Sequence, residues 1–139
     1  MTYKETEDWL KRCWHAETMY NLRLREHYEM KADMERMTAS LSGMPGSPSK
    51  DPHKFDKLII KWENINKEFE RLMKVKEELR DAIIKLEGVN EQQVLSIRFL
   101  QTNAGRPYTW DTIGGMMDYS GRQAYRIYKQ AVQHLSEII

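Results

Sequence analysis

A single cysteine, Cys13, stands in 139 residues, so no disulfide can form within the chain, as suits a reducing compartment. Proline and glycine are scarce, four and seven residues, and gathered in a few places. That distribution belongs to long helices more than to a sheet protein. Neither sign of charge dominates: 22 Lys and Arg oppose 21 Asp and Glu, for a formal net charge of +1. The chain is no polycation, and any affinity for nucleic acid must come from a local patch. No apolar run approaches a membrane span, and the opening stretch, with Lys4, Glu5, Glu7 and Asp8, lacks the apolar core of a signal peptide. These absences lead us to expect a soluble cytoplasmic protein without a membrane partner. Chemistry is sparse as well. His15, His27, His53 and His134 fall in separate segments, and Cys13 and His15, two apart, point to different sides of a helix. No Cys/His ligand set, glycine-rich phosphate loop or nucleophile motif is present. The expectation is a protein that is not an enzyme and needs neither cofactor nor metal.

What the chain does contain is helical periodicity. Thr2 and Glu5 have the spacing of a capping box, and no proline or glycine interrupts the stretch to about Leu41. Its apolar positions, among them Trp9, Leu10, Cys13, Trp14, Tyr20, Leu24 and Tyr28, form a wide, drifting stripe, which predicts packing against more than one neighbour. The stretch 42–51 then gathers glycine, proline and serine into a linker. Asp51 and Pro52 are suited to cap and open a second helix, expected to run to about Glu87. Within it Leu58, Ile65, Leu72, Leu79 and Leu86 recur at heptad spacing, interleaved by Phe55, Trp62, Phe69, Lys76 and Ile83. That is a coiled-coil seam, on a helix on the order of 50 Å long. Its partner is either the first helix folded back across the linker or the same helix in a second subunit. Gly88 suits a helix C-cap, and Asn90 with Gln93 suits the start of another helix, whose apolar face is Val94, Leu95, Ile97, Phe99 and Leu100. The predicted organisation is all-α. A long-helix hairpin or oligomerisation region spans 1–87 with its linker at 42–51, and a compact three-helix unit spans 88–139.

The last part of that unit has the pattern of a helix-turn-helix. Thr109 can cap a short helix whose inward face is Trp110, Ile113, Gly114 and Met117; Asp118 and Tyr119 make the turn. Ser120 then caps a second helix, with Gln123 three residues on. Ala124, Ile127, Ala131 and Leu135 form its core stripe. The other faces carry Arg122, Gln123, Tyr125, Arg126 and Lys129, and no acidic residue occurs from Tyr119 through Ser136. A helix with an apolar rear and a basic, amide-bearing front suits the major groove, where Arg reaches guanine edges and Gln reaches adenine. The remaining cations meet phosphates. Packed amphipathic helices joined by a turn also occur in proteins that never touch DNA, so the pattern alone leaves both readings open.

Val94, Leu95, Arg98 and Phe99, followed by Thr109, Ile113, Gly114, Ser120, Ile127, Ala131, Val132 and Leu135, resemble region 4 of bacterial sigma factors in order and spacing. The whole chain, with Ser42-Gly43-Met44-Pro45 and Asp51-Pro52 after a long helical part, is similar to small phage and prophage transcriptional regulators of the ArpU and RinA type. At Gly121 and Tyr125 sigma factors usually carry polar or charged residues that face DNA, and this chain departs from that pattern. The resemblance implies promoter binding and control of phage or mobile-element genes, with RNA polymerase as a possible second partner. On this reading Arg122, Gln123, Tyr125 and Arg126 contact base edges and Lys129 a phosphate. Ser120 caps the reading helix, while Thr109 and Trp110 hold the DNA backbone at the start of the preceding helix. Double-stranded DNA is the expected partner, and a homo-oligomer through the long helices the expected assembly. Two alternatives share the pattern. A small-terminase-like DNA-packaging adaptor also joins a helix-turn-helix to oligomerising helices, and a coiled-coil interaction protein would use the basic helix only as a solvated face.

Overall fold

The computed structural model of the chain describes residues 1–41 and 54–139, the side chains of 37–41 and 54–55 excepted. The expected linker at 42–51 and the helix start at Asp51 and Pro52 lie outside the described residues. The fold is all-α, as expected. Helix α1 spans Tyr3–Leu41 and α2 Lys54–Ile83; α3, Val89–Leu95, runs on into one wide turn at Ser96–Leu100; α4 spans Trp110–Met117 and α5 Gly121–Ile138.

Helix α1 begins where the Thr2 hydroxyl accepts from the Glu5 amide at 3.2 Å, which satisfies one of the unpaired amides of the first turn. It packs against α2 as an antiparallel hairpin. Arg12 meets Glu78 at 3.0 Å, the Tyr20 and Phe69 rings lie 5.5 Å apart, and those of His27 and Trp62 5.3 Å apart. The heptad seam of α2 therefore finds its partner within the chain. Ile65, Leu72, Leu79 and Leu86 are all buried. The interleaved row behaves differently: Ile83 is buried, but Trp62 is 51% and Phe69 43% exposed. α1 covers the leucine row and its other flank, where Val75 is half-buried and Ala82 buried, so Trp62 and Phe69 are left at the edge of the seam.

Three local expectations need correction. α2 ends at Ile83 rather than near Glu87. A tight turn, with the Leu86 amide donating to the Ile83 carbonyl at 3.0 Å, brings Leu86 into the core, where it is 2% exposed. Gly88 does not terminate α2; it is the N-cap of α3, in extended conformation. Asn90 accordingly lies inside the first turn of α3 rather than capping it. Its side-chain amide donates to the Tyr119 hydroxyl at 3.0 Å, tying α3 to the turn between α4 and α5.

One buried cluster runs through both expected regions. It joins Leu10, Cys13 and Ala16 of α1 and Leu79 and Ile83 of α2 to Val94, Phe99, Val132 and Leu135. Trp14 stacks on Phe99 at 4.9 Å between ring centres, and its indole N–H donates to the Arg98 carbonyl at 2.9 Å. The Thr102 hydroxyl donates to Glu17. The loop after the wide turn docks on the same helix. Asn103 and Arg106 exchange two backbone hydrogen bonds of 3.0 Å, and Ala104 and Gly105 between them both have positive φ. A Cβ at Gly105 would lie 3.0 Å from the Trp14 carbonyl oxygen and from the Thr18 amide, so glycine there answers both the backbone conformation and the close approach to α1.

Candidate nucleic-acid interface

Helices α4 and α5 and their turn are held by short-range chemistry that the sequence makes plain. The Thr109 hydroxyl accepts from the Thr112 amide at 3.3 Å and caps α4. Asp118 adopts the left-handed conformation that ends it, and the Tyr119 amide donates to the Gly114 carbonyl at 2.8 Å. The Ser120 hydroxyl accepts from the Gln123 amide at 3.1 Å and caps α5. Thr109 and Ser120 thus act first as caps.

Two glycines set how closely the helices meet. A Cβ at Gly114 would come within 2.6 Å of the Tyr119 carbonyl oxygen, so the turn can fold over α4 only with glycine there. A Cβ at Gly121 would lie 3.0 Å from the Asp111 amide nitrogen and 3.1 Å from the Trp110 carbonyl carbon. The departure from the sigma pattern at Gly121 thus has a packing cause: the first residue of α5 abuts the start of α4. Gly115 faces open space.

Helix α5 has a strongly two-faced character. Ala124, Tyr128, Ala131, Val132 and Leu135 are buried, with Ile127 half-buried beside them. Arg122, Gln123, Arg126 and Lys129 are exposed, and Tyr125 is 40% exposed. Five of the eight expected contact residues therefore share one solvent-facing side of a single helix. Tyr128 and Val132 are core residues beyond the expected stripe.

Tyr125 and Trp110 are less free than a simple contact role would need. Their rings meet at 5.1 Å, and the Lys129 ammonium lies 4.6 Å above the Tyr125 ring. Trp110 also packs against Tyr128 at 4.8 Å, and the Arg98 guanidinium lies 4.4 Å over its ring. The same guanidinium lies 5.3 Å from the Trp14 ring centre and donates to the Tyr108 carbonyl. Burial draws Arg98 below the ordinary guanidinium range, although a guanidinium keeps its charge at any ordinary pH. The Tyr128 hydroxyl donates to Glu7 of α1 at 2.6 Å. Burial first, and then that carboxylate, raise the phenol above its usual range, so it remains a donor.

Sequence reasoning did not connect Glu7, Lys11 or Tyr3 of α1 with this site, yet they line one cleft with Trp110, Tyr125 and Lys129. Contacts between residues more than a hundred positions apart leave no periodic trace in one sequence. The available signal was Arg98, an arginine set among the apolar positions of the wide turn that follows α3. Among the described residues no cluster of His, Cys, Asp and Glu could hold a metal ion, and no helix is long and apolar enough to cross a membrane. Compared with family models, curated proteins and solved structures, the chain matches none.

Proposed function

We propose that this chain is a sequence-specific DNA-binding transcriptional regulator that reads duplex DNA with α5. The observation that carries this is the division of α5 into a buried apolar rear and an exposed front of Arg122, Gln123, Arg126 and Lys129, without an acidic residue from Tyr119 through Ser136. A helix so built presents bidentate donors for guanine and an amide for adenine, while its rear fastens it to a rigid core. Tyr125, steadied by Trp110 and Lys129, offers a ring edge and hydroxyl to a sugar or a thymine methyl. The resemblance to sigma region 4 and to ArpU- and RinA-type regulators supports phage or mobile-element promoters as the targets and RNA polymerase as a second partner. An enzymatic role is not part of this proposal, nor is a cofactor, and a cytoplasmic location follows from the DNA target.

One short reading helix offers little contact area, so a dimer is the natural working form. The exposed Ile59, Trp62 and Phe69 of α2 suit that contact. A monomer in light scattering at micromolar concentration would remove the dimer, and a ring of many subunits would favour a packaging adaptor over a promoter-binding regulator.

The test is a titration of a bound duplex and of its single-base variants with the purified chain and with Arg122→Ala or Arg126→Ala. A residue that reads a base should lose about 1–3 kcal/mol on the cognate site and less on the site altered at that base. Equal losses on every sequence would reduce both arginines to phosphate contacts and overturn sequence reading.

A further inference from the structure

Beside the front of α5 lies a cleft of about 370 Å³ whose lining includes Lys11 of α1, Lys129 of α5, Arg98, Trp110, Tyr125 and Glu7. Three cations face it against one carboxylate. That carboxylate already accepts the Tyr128 hydroxyl at 2.6 Å. Among the described residues no carboxylate pairs with Arg98, which is held between two indole rings and a backbone carbonyl. A partly desolvated guanidinium without a carboxylate partner, in a cleft that Lys11 and Lys129 also line, favours an anion from outside the chain. The Lys129 ammonium is steadied over the Tyr125 ring, so less side-chain freedom is lost when it meets a ligand.

We propose that this cleft seats a backbone phosphate of the bound duplex, so that the DNA-contacting surface extends from α5 onto α1 through Lys11. This inference rests on the proposed reading of DNA by α5 and deepens it. The duplex, lying along the front of α5, passes the Tyr125–Lys129 edge, and α1 stands beside that edge. The phosphate would be held by Lys11 and Lys129, with Arg98 contributing a fixed positive charge. Such a contact fixes register and strengthens binding on every sequence alike.

The experiment measures affinity of the full chain for its selected duplex and for an unrelated one across a range of salt concentrations, in wild type, Lys11→Ala and Lys11→Arg. Lys11 is exposed, and circular dichroism would verify that both variants keep the fold. Lys11→Ala should weaken both duplexes by about threefold to tenfold and lower the slope of log K against log salt by about 0.9, the share of one phosphate contact. Lys11→Arg should restore the slope. An unchanged slope in Lys11→Ala, while Arg122→Ala plus Arg126→Ala still abolishes cognate binding, overturns the cleft and leaves the reading by α5 intact. A wild-type chain that binds no duplex at low salt overturns both. A thermal shift with inorganic phosphate that Lys11→Ala removes, without any change in duplex slope, would make this a free-anion site and overturn its place in DNA binding.

Discussion

The two ends of the α1–α2 hairpin carry the same kind of apolar periodicity and meet different fates. At the root, Leu10, Cys13, Leu72, Leu79 and Ile83 are at most 3% exposed, because a third layer, α5 and the wide turn Ser96–Leu100, closes over the hairpin. Towards the tip, Tyr28, Ile59, Ile60 and Trp62 are each more than half exposed. A heptad seam between two helices covers only one stripe of each, as at Ile65, 3% exposed; positions beside that stripe need further neighbours, and among the described residues the tip has α1 and α2 alone. The root is also where α1 meets the C-terminal part of the chain, through Trp14 to Arg98 of the wide turn, Glu17 to Thr102 of the loop and Glu7 to Tyr128 of α5. The hairpin is thus a buttress for α5 at one end and an apolar surface at the other.

Core truncation should break the symmetry between the ends most sharply. Leu79→Ala at the root is expected to cost about 2–5 kcal/mol of unfolding free energy, whereas Ile59→Ala at the tip should stay within about 0.5 kcal/mol in a monomeric sample. Urea denaturation measures both. A large loss at Ile59 would mean that the tip is buried in an assembly.

The glycines give the next largest contrast. Gly121→Ala forces a Cβ against the backbone of Asp111 and Trp110 and should cost about 1–3 kcal/mol, with weakened duplex binding as α5 shifts. Gly115→Ala meets nothing and should stabilise α4 by up to about 1 kcal/mol, the helix-propensity difference. Thermal melts of the two variants should move in opposite directions. Removing the cap of α5 is expected to be milder still: Ser120→Ala should lose about 1 kcal/mol, read from the denaturation midpoint.

The smallest effect is a pH dependence. The His134 ring lies 2.7 Å from Glu91, and that hydrogen bond, then the carboxylate charge, raise its pKa above the ordinary histidine value. A raised folded-state pKa favours the protonated folded form, so the contribution is complete below the unfolded value and lost as pH rises through the folded one. Stability measured across that interval should fall slightly in wild type and not in His134→Ala.

The helices, both caps of the helix-turn-helix and the buried row of α2 were legible in the sequence because each depends on neighbours within a few turns. Thr109 and Ser120 sit three residues before the amides they accept from, a spacing that any reader of the chain can see. The end of α2 was not legible. Leu86 continues the heptad row, but a tight turn at Ile83 carries it into the core, where its carbonyl accepts from the Gln92 side-chain amide of α3, a contact that no periodicity announces. Gly121 was misleading on its own, since its reason is the backbone of Asp111 ten residues earlier. The cleft was invisible for the same cause at longer range: Glu7 and Tyr128, or Lys11 and Lys129, come together only once α1 folds against α5.

The most direct measurement is selection of bound duplexes from a random DNA pool by the purified chain. The account requires an enriched motif, lost when Arg122→Ala and Arg126→Ala are combined and kept in Gly115→Ala. Absence of any salt-sensitive duplex binding, even at low ionic strength, would contradict it and leave the basic face of α5 as solvated surface.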